Sequence, residues 1–524
     1  MKMVKSLILG STAGLLAMSG AQAADLPVKA KAVEYVRICS LYGAGFFYIP
    51  GTDTCIKIGG YMRIDADFNG GVYDQPAWNG DLGVGDRYRD SFTERSRFAL
   101  TIDTRTATEY GVVRTFGQAD FQFDTLGTNT YNPASLASNL GNNTSGILMT
   151  PGGGYTAVEY IFLQFAGFTF GKSSSAYSTP WNGYPGNNSS FLIGGNDTVT
   201  GVNNIQYTAQ FGNGVSASIG LDDPSAFNRT AVYNLSTPLS AVGVGGNAYG
   251  GVNMPDVVGN IKIDQAWGLF QLSGALHEVD GSYNTLAGAT LTPADLVAST
   301  AASQLSGHPD TKYGGSVMAA INIKNIPTGP GDDIKFDATW AKGDTKNVIS
   351  TSASSPNFLM LGGTKGQLGA NQSIAFGATT DGVYLPVAAG GDGSMHLTTA
   401  YGVRGAFNHN WDPYWSSSLF GGMGWVRYDA SAAANYCTAY GAVVAGQGAT
   451  YNCNPNYTIS MLGAITRWTP VKNLTFSAEA IWTHLTTGFT GFATCGAGAP
   501  TPATTYSFAA QDTVSFNVRA QRNF

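Results

Sequence analysis

Between Ile56 and Phe68 the chain changes character at almost every step. Ile56, Ile58, Met62, Ile64 and Phe68 take one parity; Lys57, Arg63, Asp65 and Asp67 take the other. Successive side chains of a strand point to opposite faces, so this segment reads as a strand with one greasy and one charged side. The pattern returns at 92–105, where Phe98, Leu100 and Ile102 oppose Arg97, Thr101 and Asp103, and at 203–211, where Ile205, Tyr207 and Phe211 oppose Asn204, Gln206, Thr208 and Gln210. It closes the chain, with Val514, Phe516, Val518 and Phe524 set against Thr513, Ser515, Asn517, Arg519 and Asn523. Several of these runs are far longer than the usual strand of about 5–6 residues. They suit a tilted strand crossing a membrane, which takes ~9–11 residues.

The connections alternate in length. Strands at 56–68, 92–105, 109–123, 155–165, 168–172, 203–211, 214–222, 257–265, 268–279, 313–324, 333–342, 397–409, 414–428, 457–468, 473–485 and 512–524 make sixteen. Long loops follow at 69–91, 124–154, 173–202, 223–256, 280–311, 344–396, 430–456 and 487–511, with short turns between them, two carrying hairpin chemistry in Gly212-Asn213-Gly214 and Trp411-Asp412-Pro413. The strand at 168–172 is short, and the parity of 414–428 does not resolve. An even strand number, with long loops on one side and tight turns on the other, predicts an all-β, transmembrane antiparallel barrel. A soluble sandwich or propeller would show the same alternation. Against it stand the aromatics Phe168, Trp267, Trp411 and Trp468 at the short-turn ends, which suit an interfacial girdle, and the lack of any fixed repeat.

Composition narrows the class further. Only 12% of residues are charged, against about 25% in an ordinary soluble protein, and Gly contributes 69 of 524 residues. Beyond residue 23 no apolar run approaches the ~18 residues of a spanning helix, and no basic stripe points to nucleic acid. Met1 to Ala23 reads as a secretory signal peptide. Lys2 and Lys5 precede a short apolar stretch, and Ala21-Gln22-Ala23 sets cleavage between Ala23 and Ala24. Cleavage takes two lysines from 28 basic residues and no acid from 34, moving the net charge from −6 to −8. Exported cysteines meet an oxidising compartment. The economical local pairs are Cys39 with Cys55 and Cys437 with Cys453, each closing a loop of about 15 residues worth ~3 kcal/mol; Cys495 is left over. The chain thus divides into a signal (1–23), an N-terminal segment (24–55) and a barrel (56–524). Sixteen strands leave an aqueous channel rather than a packed interior.

The stretch Val36-Arg37-Ile38-Cys39-Ser40-Leu41-Tyr42-Gly43-Ala44-Gly45-Phe46-Phe47-Tyr48-Ile49-Pro50-Gly51-Thr52-Asp53-Thr54-Cys55-Ile56-Lys57-Ile58-Gly59-Gly60-Tyr61 resembles the start of mature alphaproteobacterial porins of the rhizobial and brucella type, and Arg519-Ala520-Gln521-Arg522-Asn523-Phe524 resembles their closing strand. The resemblance implies a homotrimeric, 16-stranded general-diffusion porin whose third long loop enters the lumen. It also implies that Phe524 is the terminal aromatic read by a barrel-insertion machinery. Outer-membrane lipids and lipopolysaccharide, with small hydrophilic solutes and ions, are the implied partners; no nucleic acid and no cofactor are expected.

The third long loop, 173–202, carries a single carboxylate, Asp197, where general porins set several acids against a basic wall. Arg63, Arg97 and Arg114 lie mid-strand on the polar parity of three adjacent strands and are read as a ladder on one patch of wall, the candidate constriction with Asp197. The alternative is that they are solvated lumen residues or pair with Asp65, Asp103 and Asp120. Arginine stays charged at any working pH, so such a patch biases which ions enter. Catalysis is not expected: His277 with Ser273 is one inward-facing pair in a polar lining, and no Gly-x-Ser-x-Gly, Walker-type loop or His-Glu-x-x-His occurs. Two other classes compete with a passive pore. A substrate-specific channel would need an aromatic slide, for which Tyr61 and Phe116 are few; a secreted surface protein such as an adhesin would need no membrane.

Overall fold

The computed structural model describes residues 39–71, 73–78, 83, 91–124, 154–196, 199–225, 230–240, 242–285, 304–349, 357–364, 371–444, 450–495 and 504–524. The expected signal segment, with Ala23 and Ala24, and Asp197 lie outside them. The wall consists of β1 (Thr54–Phe68), β2 (Phe92–Thr108), β3 (Gly111–Asp124), β4 (Tyr155–Phe165), β5 (Phe168–Ser173), β6 (Val202–Gly212), β7 (Val215–Asp222), β8 (Asp256–Gln265), β9 (Gly268–Val279), β10 (Lys312–Lys324), β11 (Asp333–Lys342), β12 (Thr399–Asn410), β13 (Trp415–Arg427), β14 (Tyr457–Val471), β15 (Leu474–Thr487) and β16 (Gln511–Asn523). These sixteen strands pair in sequence order, and β16 returns antiparallel to β1, with Phe516 opposite Phe68 and Asn523 opposite Tyr61. A closed antiparallel barrel leaves no sheet edge. The two-residue strand Phe47–Tyr48 adds a seventeenth member at the foot of β1.

Every expected strand is present, with ends moved by no more than three residues. At the short-turn rim Asn213 and Gly214 both take positive φ, 49° and 72°, the mirror-image turn that matches strand twist. Outside, Ile58, Met62, Ile64, Phe98, Ile102, Val514, Phe516 and Val518 are exposed, while Asp65, Asp67, Arg95 and Asp120 are buried within. An apolar outside over a polar inside inverts the pattern of a water-soluble protein and suits lipid. Phe168, Trp267, Trp411 and Trp468 stand exposed by the short turns, and Trp468 stacks on Trp415 at 5.9 Å. Phe524 lies on the outer face, stacked on Phe98 at 5.8 Å, and its N–H donates to the Gly60 carbonyl.

The long loops are folded in their own right. The seventh, expected only as a long loop, holds α1 (Ala430–Val444). The physical reason is local. Alanine is the best helix former, Asp429 caps the start by accepting from the Ala432 N–H at 2.8 Å, and Ala432, Tyr436 and Tyr440 share a buried face. Around Tyr436 and Tyr440 gather Phe376 of the sixth loop and Phe489 and Phe508 of the eighth. Cys437 is bonded to Cys453, and Cys39 to Cys55, with Cα separations of 5.8 and 6.0 Å.

Candidate functional site

The third loop, L3 (174–201), leaves the wall early because β5 has only six residues, so the chain departs part-way up the barrel. It crosses the interior. Asn260 of β8 and Gln271 of β9 donate to the Ala176 and Ser178 carbonyls at 2.5 and 2.6 Å. On the far wall Asn408 of β12 donates to the Pro185 carbonyl at 3.1 Å, and Arg467 of β14 to that of Gly186. Glu479 of β15 accepts from the Asn188 and Ser189 N–H groups at 2.6 and 3.0 Å, a charge-assisted clamp of the strong kind. Arg404 of β12, ion-paired with Asp337 at 3.1 Å, donates to the Asn196 carbonyl at 2.8 Å.

Apolar burial drives the same crossing. Phe191, Leu192 and Ile193 at the centre of L3 are fully buried against Trp78 of the first loop, Ile349 of the sixth, and the inward faces of β13 and β14. Each such side chain gains about 1.5–3 kcal/mol on leaving water, which an apolar loop tip hanging in a wet lumen would forgo. The wall accommodates the loop with glycines. A Cβ on Gly422 would sit 2.0 Å from the Ile193 carbonyl oxygen, and one on Gly402 would sit 2.7 Å from the Gly194 Cα. Gly194 itself has φ near 111°, open to glycine alone at little cost.

The wall of β16 and β1 to β4 is polar. Arg63 and Arg97 are register partners across β1 and β2, as the ladder requires. Arg114 does not join them. It faces Arg105 in register, far down toward the short-turn rim, whereas the β3 residue beside Arg97 is Gln122. Three strands being adjacent does not put their arginines level, because register decides height. The cluster has instead recruited Arg95 and Arg519. Asp65 accepts from Arg95 at 2.7 Å and Arg519 at 2.5 Å; Asp74 of the first loop pairs with Arg519 at 2.5 Å and with Arg95 at 3.6 Å. Arg97 pairs with Asp120 at 2.8 Å and Glu159 at 3.3 Å. Burial holds the Asp74 carboxyl above its ordinary range, against the pull of Arg519. Arg63 has no carboxylate within ion-pair distance among the described residues; its Nε donates to Gln521 at 2.8 Å and its guanidinium lies over the Tyr61 ring.

Sequence reasoning placed Arg63 and Arg97 together but missed Asp74 and Glu479. Asp74 sits in a loop without periodicity, and Glu479 is a single acid on the inward parity of β15, where nothing in the local pattern sets it apart. His277 and Ser273 do not meet. His277 bonds Asp256 at 2.6 Å and the Tyr249 hydroxyl at 2.9 Å, while Ser273 accepts from Gln271 at 2.9 Å.

Comparison with known proteins places this arrangement. A family model described as the porin subfamily matches residues 25–517. The porin Omp2b of Brucella abortus (strain 2308) is 36% identical over 273 residues, 51% of this chain and 63% of the relative's length. The porin Omp2b of Brucella melitensis is 35% identical over the same shares. The chain thus spans less than two thirds of the curated relatives it matches. Among solved structures, the outer membrane channel DcaP of Acinetobacter baumannii superposes with a TM-score of 0.53 at 13% identity, over 91% of this chain and 99% of the other, a likeness of fold.

Proposed function

The chain belongs to the porin subfamily, as a multi-pass β-barrel of the Gram-negative outer membrane, and on that premise we propose that it forms a passive, water-filled channel for small hydrophilic solutes and ions. One observation carries the reading. The apolar centre of L3 seats on β13 and β14, while Lys57, Arg63, Arg114 and Gln118 on β1 to β3 remain partly exposed toward the lumen. Solutes pass between them. L3, with Asp197, sets the width of the passage; Arg63, with Arg97 behind it, biases the ions admitted. No chemical step accompanies transport, as porin membership implies a channel rather than an enzyme.

The mature chain begins at Ala24, acts as a homotrimer among outer-membrane lipids and lipopolysaccharide, and is inserted through a machinery that reads Phe524. The covalent pairs Cys39–Cys55 and Cys437–Cys453 brace the foot of β1 and the loop cap. A substrate-specific slide fits less well. The inward rings Phe116 and Phe162 are register partners at one height, with Tyr160 beside them, so they form a patch and not a ladder along the axis. Liposome swelling tests the reading. Uptake of neutral sugars falls smoothly with size in a passive pore. Proteoliposomes that exclude even the smallest sugar would rule it out, and uptake of a single sugar alone would favour the slide.

A further inference from the structure

The displaced Arg114 belongs to a second site at the short-turn rim. Asp103 of β2 is faced in register by Lys57 of β1, and it accepts from Arg105 at 3.2 Å and Arg114 at 2.9 Å. Three cations therefore surround one carboxylate, a local net charge of +2. Each guanidinium is fixed by rings. Arg105 lies over Phe46 at 5.1 Å and Tyr42 at 5.9 Å; Arg114 lies over Phe116 at 5.2 Å and Phe162 at 5.4 Å. The Tyr42 and Phe46 segment is itself tied to β1 by the Cys39–Cys55 bond. Both arginines keep more than a quarter of their side-chain surface open, onto a recess of about 440 Å³ on the inner side of β3 to β6. Its other polar lining includes Gln164, which accepts from Arg114 at 2.9 Å and donates to Thr169 at 3.1 Å, with Thr208 and Gln210, and no carboxylate is among the lining residues.

We propose that this recess is a binding subsite for a small dianionic oxyanion, the class exemplified by hydrogen phosphate. The match is one of charge and shape. The net +2 balances a dianion, planar guanidinium forks suit oxyanion edges, and ring stacking holds the forks in place before the anion arrives. The site concentrates such anions at the rim of the channel on the side of the short turns. The inference rests on the pore reading, and the test separates the two.

Single channels are recorded in planar bilayers in KCl, in mildly alkaline buffer where phosphate is a dianion, with increasing potassium phosphate. The expected result is a saturable fall in chloride-carried current. In the R105Q/R114Q double variant the phosphate needed for half-block rises about tenfold or more, while K262Q, on another stretch of the inner wall, keeps the wild-type value. R114K retains the charge but loses the fork and falls between them. It serves as the readout if the double variant fails to give a heat-modifiable barrel. A wild-type protein with no openings would refute the pore reading. Openings with no saturable phosphate effect, or with an effect unchanged in the arginine variants, would overturn the subsite alone.

Discussion

The inner faces of two stretches of one barrel are built on opposite rules. On β1 to β4 and β16 the inward parity is occupied by Lys57, Arg63, Asp65, Arg97, Asp120, Asn517 and Arg519, and the buried charges among them balance one another in ion pairs. On β12 to β15 the inward parity carries Ala400, Gly402, Phe420, Gly422, Gly424, Ile459, Met461, Ile465 and Ile481, and it is buried beneath L3 and the sixth loop. The first wall is held by ion pairs and keeps Lys57 and Arg63 open to the lumen; the second is a seat. A barrel of this width has more interior than a narrow passage needs. Devoting one wall to a hydrophobic core lets the loops be held as firmly as a globular protein holds its own elements, while the other wall stays free for solutes.

The same arginine-to-glutamine change should therefore do different things on the two walls. R404Q leaves Asp337 as an uncompensated buried charge under Gly195 and Asn196, and breaking such a pair costs about 3–5 kcal/mol. The expected outcome is a lower thermal transition in the heat-modifiable gel shift and faster proteolysis of L3, with unchanged ion selectivity in whatever channels remain. G422V comes next. Its side chain cannot coexist with the Ile193 carbonyl, and overpacking of this kind costs about 1–3 kcal/mol. L3 leaves its seat, so single-channel conductance rises; an unchanged conductance would mean that L3 does not narrow the pore.

R63Q removes a cation with no carboxylate within ion-pair distance among the described residues and should barely alter stability. A unit charge at 4 Å across water is worth about 1 kcal/mol, so the permeability ratio read from a KCl gradient moves toward cations by less than about tenfold. The smallest effect belongs to the foot of the apolar wall. Although burial works against it, hydrogen bonds from Thr328, the Asn410 N–H and His409 hold Asp332 at about 2. A carboxyl depressed below its usual value near ~3.9 contributes stability above that pH and loses it as the pH falls toward the folded value. D332N should therefore melt slightly below wild type near neutral pH, and the gap should close on acidification to about pH 2.

How far the chain could be read without coordinates follows the same division. Where one face is lipid and the other water, alternation is clean and the strands are legible from it; the rest follow from the alternation of long loops and short turns. Where both faces are apolar, the period vanishes. In β13, Trp415, Leu419, Met423 and Trp425 face lipid while Phe420 and Val426 face L3, which is why the parity of 414–428 did not resolve. Arg63 and Arg97 were legible as inward residues, but register across β2 and β3 is not written in parity, and Arg114 was therefore placed too high. Asp429 and the following alanines signal helix α1, but a long segment between two strands reads as loop wherever the period of two stops.

Thiol labelling during single-channel recording shows whether the open path runs along β1 to β4 and not along β12 to β15. In a Cys495→Ser background, cysteine is placed at Gln118 on the polar wall or at Val426 beneath the folded loops, and a bulky charged thiol reagent is added. A stepwise loss of current is expected for Gln118→Cys and none for Val426→Cys. Equal block at both positions, or block at Val426→Cys alone, would contradict that path.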